Sequence, residues 1–140
     1  MSVVKVKPRQ TGATAVLSRL GQPVVTSVTG GEIGVVTRPS EAGFNPLDLL
    51  YASLSACLVL SARIAASNLG VLDRLGEVRA EVKGEKAADK PSRIERFHVA
   101  IEVSGDFDEA TKAAIIADAE RICTVSNTLK GNPILVKTKG

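Results

Sequence analysis

Two cysteines, Cys57 and Cys123, are the side chains of this 140-residue chain best suited to chemistry. A thiolate is both a nucleophile and a redox centre, and a pair of thiols can pass between dithiol and disulfide. The two stand 66 residues apart, and the sequence offers one histidine, His98, and no Cys-x-x-Cys. A structural zinc site and a disulfide scaffold are therefore excluded. Residues 1–12 hold no apolar run long enough for a signal-peptide core, so a cytoplasmic location is expected. In that reducing compartment a disulfide would be catalytic or transient. The competing reading for both cysteines is that of small buried hydrophobes.

The elements that must position these residues can be read from pattern. The first forty residues alternate and are rich in Val and Thr, with punctuation at Gly12, at Leu20-Gly21-Gln22 and at Gly30-Gly31. They predict a meander of short antiparallel strands. Asn45-Pro46 places an N-cap before a proline at the first helical position, with Asp48 in the first turn, where the helix dipole favours it. A helix should run from there to about Asn68, stopped by Gly70. Leu49, Leu50, Leu54 and Leu58 interleave with Ala52, Ser53, Ser55 and Ala56, so it is apolar nearly all round and is expected to be covered on most sides. Cys57 falls in its middle, flanked one turn away by Ser53 and Ser61, where small side chains let another element approach.

Period-two patterns over 77–85 and 93–104, joined by polar residues 86–91, predict a hairpin. Phe97, Val99, Ile101 and Val103 share one face of its second strand, which leaves His98 on the solvent side. Asp106 to Glu109 form a capping-box-like start to a second helix, whose stripe of Ile115, Ile116, Ala119 and Ile122 ends near Cys123. Pro133 to Val136 read as a closing strand. No repeat, linker or low-complexity segment divides residues 1–140, so one α+β domain is expected.

Composition narrows the function classes. At 44% hydrophobic and 24% charged, the chain can bury a core and is not of the disordered type. Tyr51, Phe44, Phe97 and Phe107 are its only aromatics, too few for a base-stacking platform. The net charge of +3 is concentrated early, in Lys5, Lys7, Arg9, Arg19 and Arg38 against Glu32 alone over residues 1–40. That is sparser than a nucleic-acid stripe, so no nucleic-acid partner is expected. The longest uncharged stretch, Leu49 to Ala62, is 14 residues, short of the roughly 20 that span a bilayer, and no membrane association is expected.

Two stretches, Gly43-Phe-Asn-Pro-Leu-Asp-Leu-Leu-Tyr-Ala-Ser-Leu-Ser-Ala-Cys57 and Ala119-Glu-Arg-Ile-Cys-Thr-Val-Ser-Asn-Thr-Leu129, together resemble the OsmC/Ohr family, the osmotically inducible protein C and organic hydroperoxide resistance proteins. The resemblance implies an OsmC-like fold in which antiparallel strands enclose two long helices, assembled as an intertwined homodimer with sites at the subunit interface. It also implies reduction of organic hydroperoxides, with Cys57 attacking, Cys123 resolving and an external dithiol as reductant. No cofactor is implied.

A mid-helix thiol gains nothing from an N-terminal dipole, so activating Cys57 is expected to require a nearby cation. In the peroxidase branch that cation comes from the N-terminal strands. The candidates are Arg19, just before the Leu20-Gly21-Gln22 turn, and Arg38. Arg19 is favoured because a strand end holds a side chain better than a loop, although each also reads as a solvated surface residue. The chain departs from the family pattern where a Glu after Asn-Pro is replaced by Leu47 and a Pro after the second cysteine by Thr124. Two other functions compete: a non-catalytic member binding a small apolar ligand, and, on the basic early charge alone, a nucleic-acid binder.

Overall fold

The computed structural model describes residues 10–139 in two compact units, one ending at Leu49 and one starting at Leu50. Of the early basic residues, Lys5, Lys7 and Arg9 lie outside the described range. In the first unit, β1 (Ala13–Val16), β2 (Val24–Ser27) and β3 (Glu32–Gly34) form the expected antiparallel meander in the order β1-β2-β3. Ala15 stands opposite Val25, which stands opposite Ile33 on its other side.

Helix α1 (Pro46–Asn68) begins and ends as predicted. Its start is tighter than a dipole contact. The Asp48 amide donates to Asn45 Oδ1 at 2.9 Å while the Asn45 amide donates to Asp48 Oδ2 at 3.0 Å, a reciprocal cap that satisfies two donors at once. At the other end Gly70 takes a φ of +76°, which lets its amide reach Ser67 O at 3.0 Å and the Val71 amide reach Ala66 O at 2.9 Å. This is a Schellman closure, and the left-handed residue it requires explains the glycine.

In the second unit, β4 (Leu75–Lys86) and β5 (Ile94–Gly105) form the hairpin, with Val78 opposite Val103, Ala80 opposite Ile101 and Val82 opposite Val99. Helix α2 (Glu109–Ile122) follows, capped by Asp108, whose Oδ1 accepts from the Thr111 amide at 2.8 Å. A short helix that the pattern did not indicate, α3 (Thr124–Lys130), then completes the unit.

Two apolar clusters hold these elements together. One joins Ala62, Ala65 and Ala66 of α1 to Val103 of β5 and to Ile115 and Ala119 of α2, with the alanines letting the elements approach closely. The other joins Leu54, Leu58 and Cys123, with Ala80, Val82, Phe97, Val125 and Leu129 packed around them.

Two expectations, the cover of α1 and a strand at 133–136, are corrected. Helix α1 is not covered on most sides within the chain: Leu60 and Ile64, on the face away from Leu58 and Ala62, are 50% and 53% exposed. The helix is long and apolar enough to cross a membrane, with a mean hydropathy of 1.7, but its other face is packed into both clusters, as in a core helix. Val99 shares the inward face of β5 yet is 43% exposed. Pro133 to Val136 form no strand, and Leu135 is 98% exposed. A strand needs a ladder partner, and among the described residues none pairs with this segment.

Candidate active site

Cys57 sits in the middle of α1, partly exposed, while Cys123 is wholly buried at the joint between α2 and α3. That joint is built by one residue. Cys123 has helical φ but extended ψ (−66°, 110°), so α2 stops and the chain turns before helical geometry resumes. Its amide still donates to Ala119 O at 3.1 Å, closing α2, and its Sγ accepts from the Ser126 amide at 3.5 Å, opening α3. A cysteine thus takes the place that Ser, Thr, Asp or Asn usually occupies at a helix start.

The turn points the first amides of α3, which have no partner within their own helix, at Cys57. Burial alone would raise the pKa of Cys57. The Val125 amide, the Cys123 thiol, the Ser61 hydroxyl and the Thr124 amide outweigh it, so Cys57 lies below the ordinary thiol value. Cys123 moves the opposite way, raised by burial and by the neighbouring Cys57 against the opposing Ser126 amide. Both are free thiols and pack in one cluster. Of the two thiols, Cys57 is the more readily ionised.

Neutral donors lower the Cys57 pKa within this unit, and three of them, Ser61 and the amides of Thr124 and Val125, had no role in the sequence reading. Ser61 was visible one turn from Cys57; the amides were not, because the spacing of α1 alone cannot show that another helix starts against it. Arg19, Arg38 and Leu47 belong to the amino-terminal unit. There Arg38 borders an open cleft of about 690 Å³ with Gln22, Thr37 and Glu41, and Asp48 is committed to the α1 cap. His98 is a surface residue as expected, with Nε2 2.8 Å from Glu85 on the outer face of the hairpin. That contact, with Arg96 adding to it, holds the Glu85 carboxyl below its usual range.

Beside the cysteine cluster lies a cavity of about 380 Å³. Leu54, Phe97 and Leu129 line it and also pack in the cluster that contains Cys123, while Arg96 and Lys130 stand at its rim. Phe44, expected at an apolar site, lies in the other unit and is 47% exposed. Among the described residues no group of three His, Cys, Asp or Glu side chains is placed to hold a metal ion.

A hairpin packed against a long helix, with a reduced cysteine pair in the same cluster, defines an α+β protein with a two-thiol centre. The chain belongs to the OsmC-like protein family, whose sequence model matches residues 39–139 and so takes in both cysteines. Its fold is shared by solved structures. An OsmC-like protein from Mycoplasma pneumoniae is 21% identical, with a TM-score of 0.76 over 89% of this chain and 90% of that one. An organic hydroperoxide resistance protein from Elizabethkingia anophelis is 23% identical, with a TM-score of 0.64 over 90% and 91%. The organic hydroperoxide resistance protein OhrB of Bacillus subtilis is 21% identical, with a TM-score of 0.64 over 89% and 93%. Comparison with curated protein sequences gives no significant match.

Proposed function

We propose that this protein is a thiol-dependent peroxidase that reduces organic hydroperoxides in oxidative stress defence, with Cys57 as the attacking thiol and Cys123 as the resolving one. The observation that carries the reading is the opposite polarisation of the pair: a partly exposed Cys57 made acidic by neutral donors, against a buried Cys123 kept protonated. The Cys57 thiolate attacks the terminal peroxide oxygen, the one not bonded to carbon; the S–O bond forms as the O–O bond breaks, and the alkoxide leaves and takes a proton from water to become the alcohol. Cys57 is then a sulfenic acid. Cys123 gives up its proton and attacks that sulfur, the S–S bond forms, and the oxygen leaves as water. An external dithiol restores both thiols.

The apolar wall that Leu54, Phe97 and Leu129 give the cavity next to the Cys123 cluster suits a substrate with a hydrocarbon tail. Family membership and the names of the Elizabethkingia and Bacillus neighbours favour peroxide chemistry over the alternative, simple binding of an apolar ligand. Arg19 is the proposed cation on the family pattern, and the cytoplasm the proposed location. A homodimer accounts for the open apolar face of α1 at Leu60 and Ile64. Sedimentation at micromolar concentration is expected to give twice the 14.6 kDa chain mass, and a stable folded monomer would contradict the dimer.

Equimolar cumene hydroperoxide added to the reduced protein is expected to remove both thiols in a single turnover and to release the corresponding alcohol. Retention of both thiols, with the hydroperoxide unchanged, would leave the ligand-binding function in place of the peroxidase.

A further inference from the structure

Helix α1 carries several serines, and their hydroxyls are spent differently. Ser53 Oγ donates to Leu50 O at 2.7 Å and Ser55 Oγ to Ala52 O at 3.1 Å, the usual local bond of a helical serine. Ser61 is unlike them. It is 5% exposed, the one buried polar residue of the described core, and it sits one turn after Cys57 on the same helix face. A buried hydroxyl needs a partner, and this one stands one turn from Cys57 on the shared helix face, where it helps to lower the thiol's pKa. Around it stand Ala62, Ala65 and Ala66, small apolar residues that a serine interrupts with no gain in packing. Among titratable groups, Cys123 is the one whose interaction shifts Cys57.

We infer that Ser61 is a third participating side chain of this centre, a hydrogen-bond donor held against the attacking sulfur that favours its ionised form. The inference rests on the peroxidase reading for its place in a reaction, but its claim about the thiol stands apart. A hydroxyl rotates freely, so Ser61 can donate to the thiolate without being tied to a fixed geometry. It acts beside the Thr124 and Val125 amides, which side-chain substitution cannot remove.

The sign follows from the ionisation. Loss of a donor to the thiolate raises the pH at which Cys57 ionises, so reactivity falls at neutral pH and recovers once the pH exceeds the new midpoint. Ser61→Ala retains the helix, since alanine is the better helix former and removes a single oxygen. Iodoacetamide alkylation of Cys57, followed by peptide mass spectrometry across pH, is expected to show a midpoint moved upward. The rate at pH 7 should fall roughly tenfold, the scale of one hydrogen bond to a charged group, and the rate at high pH should be nearly unchanged. Ser61→Thr, which retains the hydroxyl, should hold the wild-type midpoint. A Ser61→Ala midpoint equal to that of the wild type overturns the inference, as does a loss of rate by the same factor at every pH. If the wild type is inert to cumene hydroperoxide while Ser61→Ala still raises the midpoint, the peroxidase reading falls and the role of Ser61 at the thiol stands.

Discussion

Cys57→Ser is expected to lose hydroperoxide consumption by at least about a thousandfold, because the hydroxyl that replaces the thiol is not ionised near neutral pH and the reaction has no other nucleophile of comparable strength. Cys123→Ser is expected to behave differently. Its Cys57 can still be oxidised once, since the attack on peroxide does not use Cys123 as a nucleophile, but the sulfenic acid then has no partner within the chain. One equivalent of hydroperoxide should be consumed and turnover should stop. The first step in Cys123→Ser should stay near the wild-type rate, because the serine hydroxyl can donate to Cys57 in place of the Cys123 thiol. Peroxide consumption by each reduced protein in the absence of dithiol, with both variants beside the wild type, reads all three. Equal turnover by wild type and Cys57→Ser would remove Cys57 from the chemistry, and a reversal of the two phenotypes would exchange the roles.

The largest effect on stability is expected at Leu58. It is 2% exposed and packs with Leu54 and Cys123 where α1 meets the hairpin. Truncation to alanine removes three methyl or methylene-sized groups from a site walled by two secondary-structure layers, which can collapse only in part, so Leu58→Ala should cost about 2 to 5 kcal/mol. A urea unfolding curve should shift its midpoint downward by that amount at unchanged slope. The same substitution at Leu60, half exposed on the other face of the helix, provides the contrast. If a second copy covers that face, the cost of Leu60→Ala should shrink on dilution, as expected when folding and association are linked. A Leu58→Ala protein as stable as the wild type would show that the cluster around Cys123 does not bear on folding.

Local signals carried much of this architecture. Asn45-Pro46 and Gly70 bound α1 because each meets a backbone demand that few residues can meet: an acceptor for exposed amides at the start and a left-handed turn at the end. The hairpin was legible because Phe97, Ile101 and Val103 keep period two and point at the core. Helix α3 was not. Thr124 to Lys130 is seven residues with a β-branched start and no apolar stripe, and what makes it helical is the turn at Cys123 together with its packing through Val125 and Leu129. Since the amides that acidify Cys57 belong to α3, the electrostatics of the centre were hidden with it. Pro133 to Val136 failed for the converse reason. The run has strand composition, but a strand is a property of a pair, and among the described residues no neighbour supplies the other half.

The central claim is that Cys57 and Cys123 form one redox unit driven by peroxide. Intact-protein and peptide mass spectrometry after an equimolar addition of cumene hydroperoxide to the reduced chain tests it most directly. The account predicts a protein lighter by two hydrogens, with a peptide linking Cys57 to Cys123, formed in step with the alcohol. A protein that gains oxygen at Cys57 without ever forming the link, or one that stays fully reduced while the hydroperoxide persists, would contradict it.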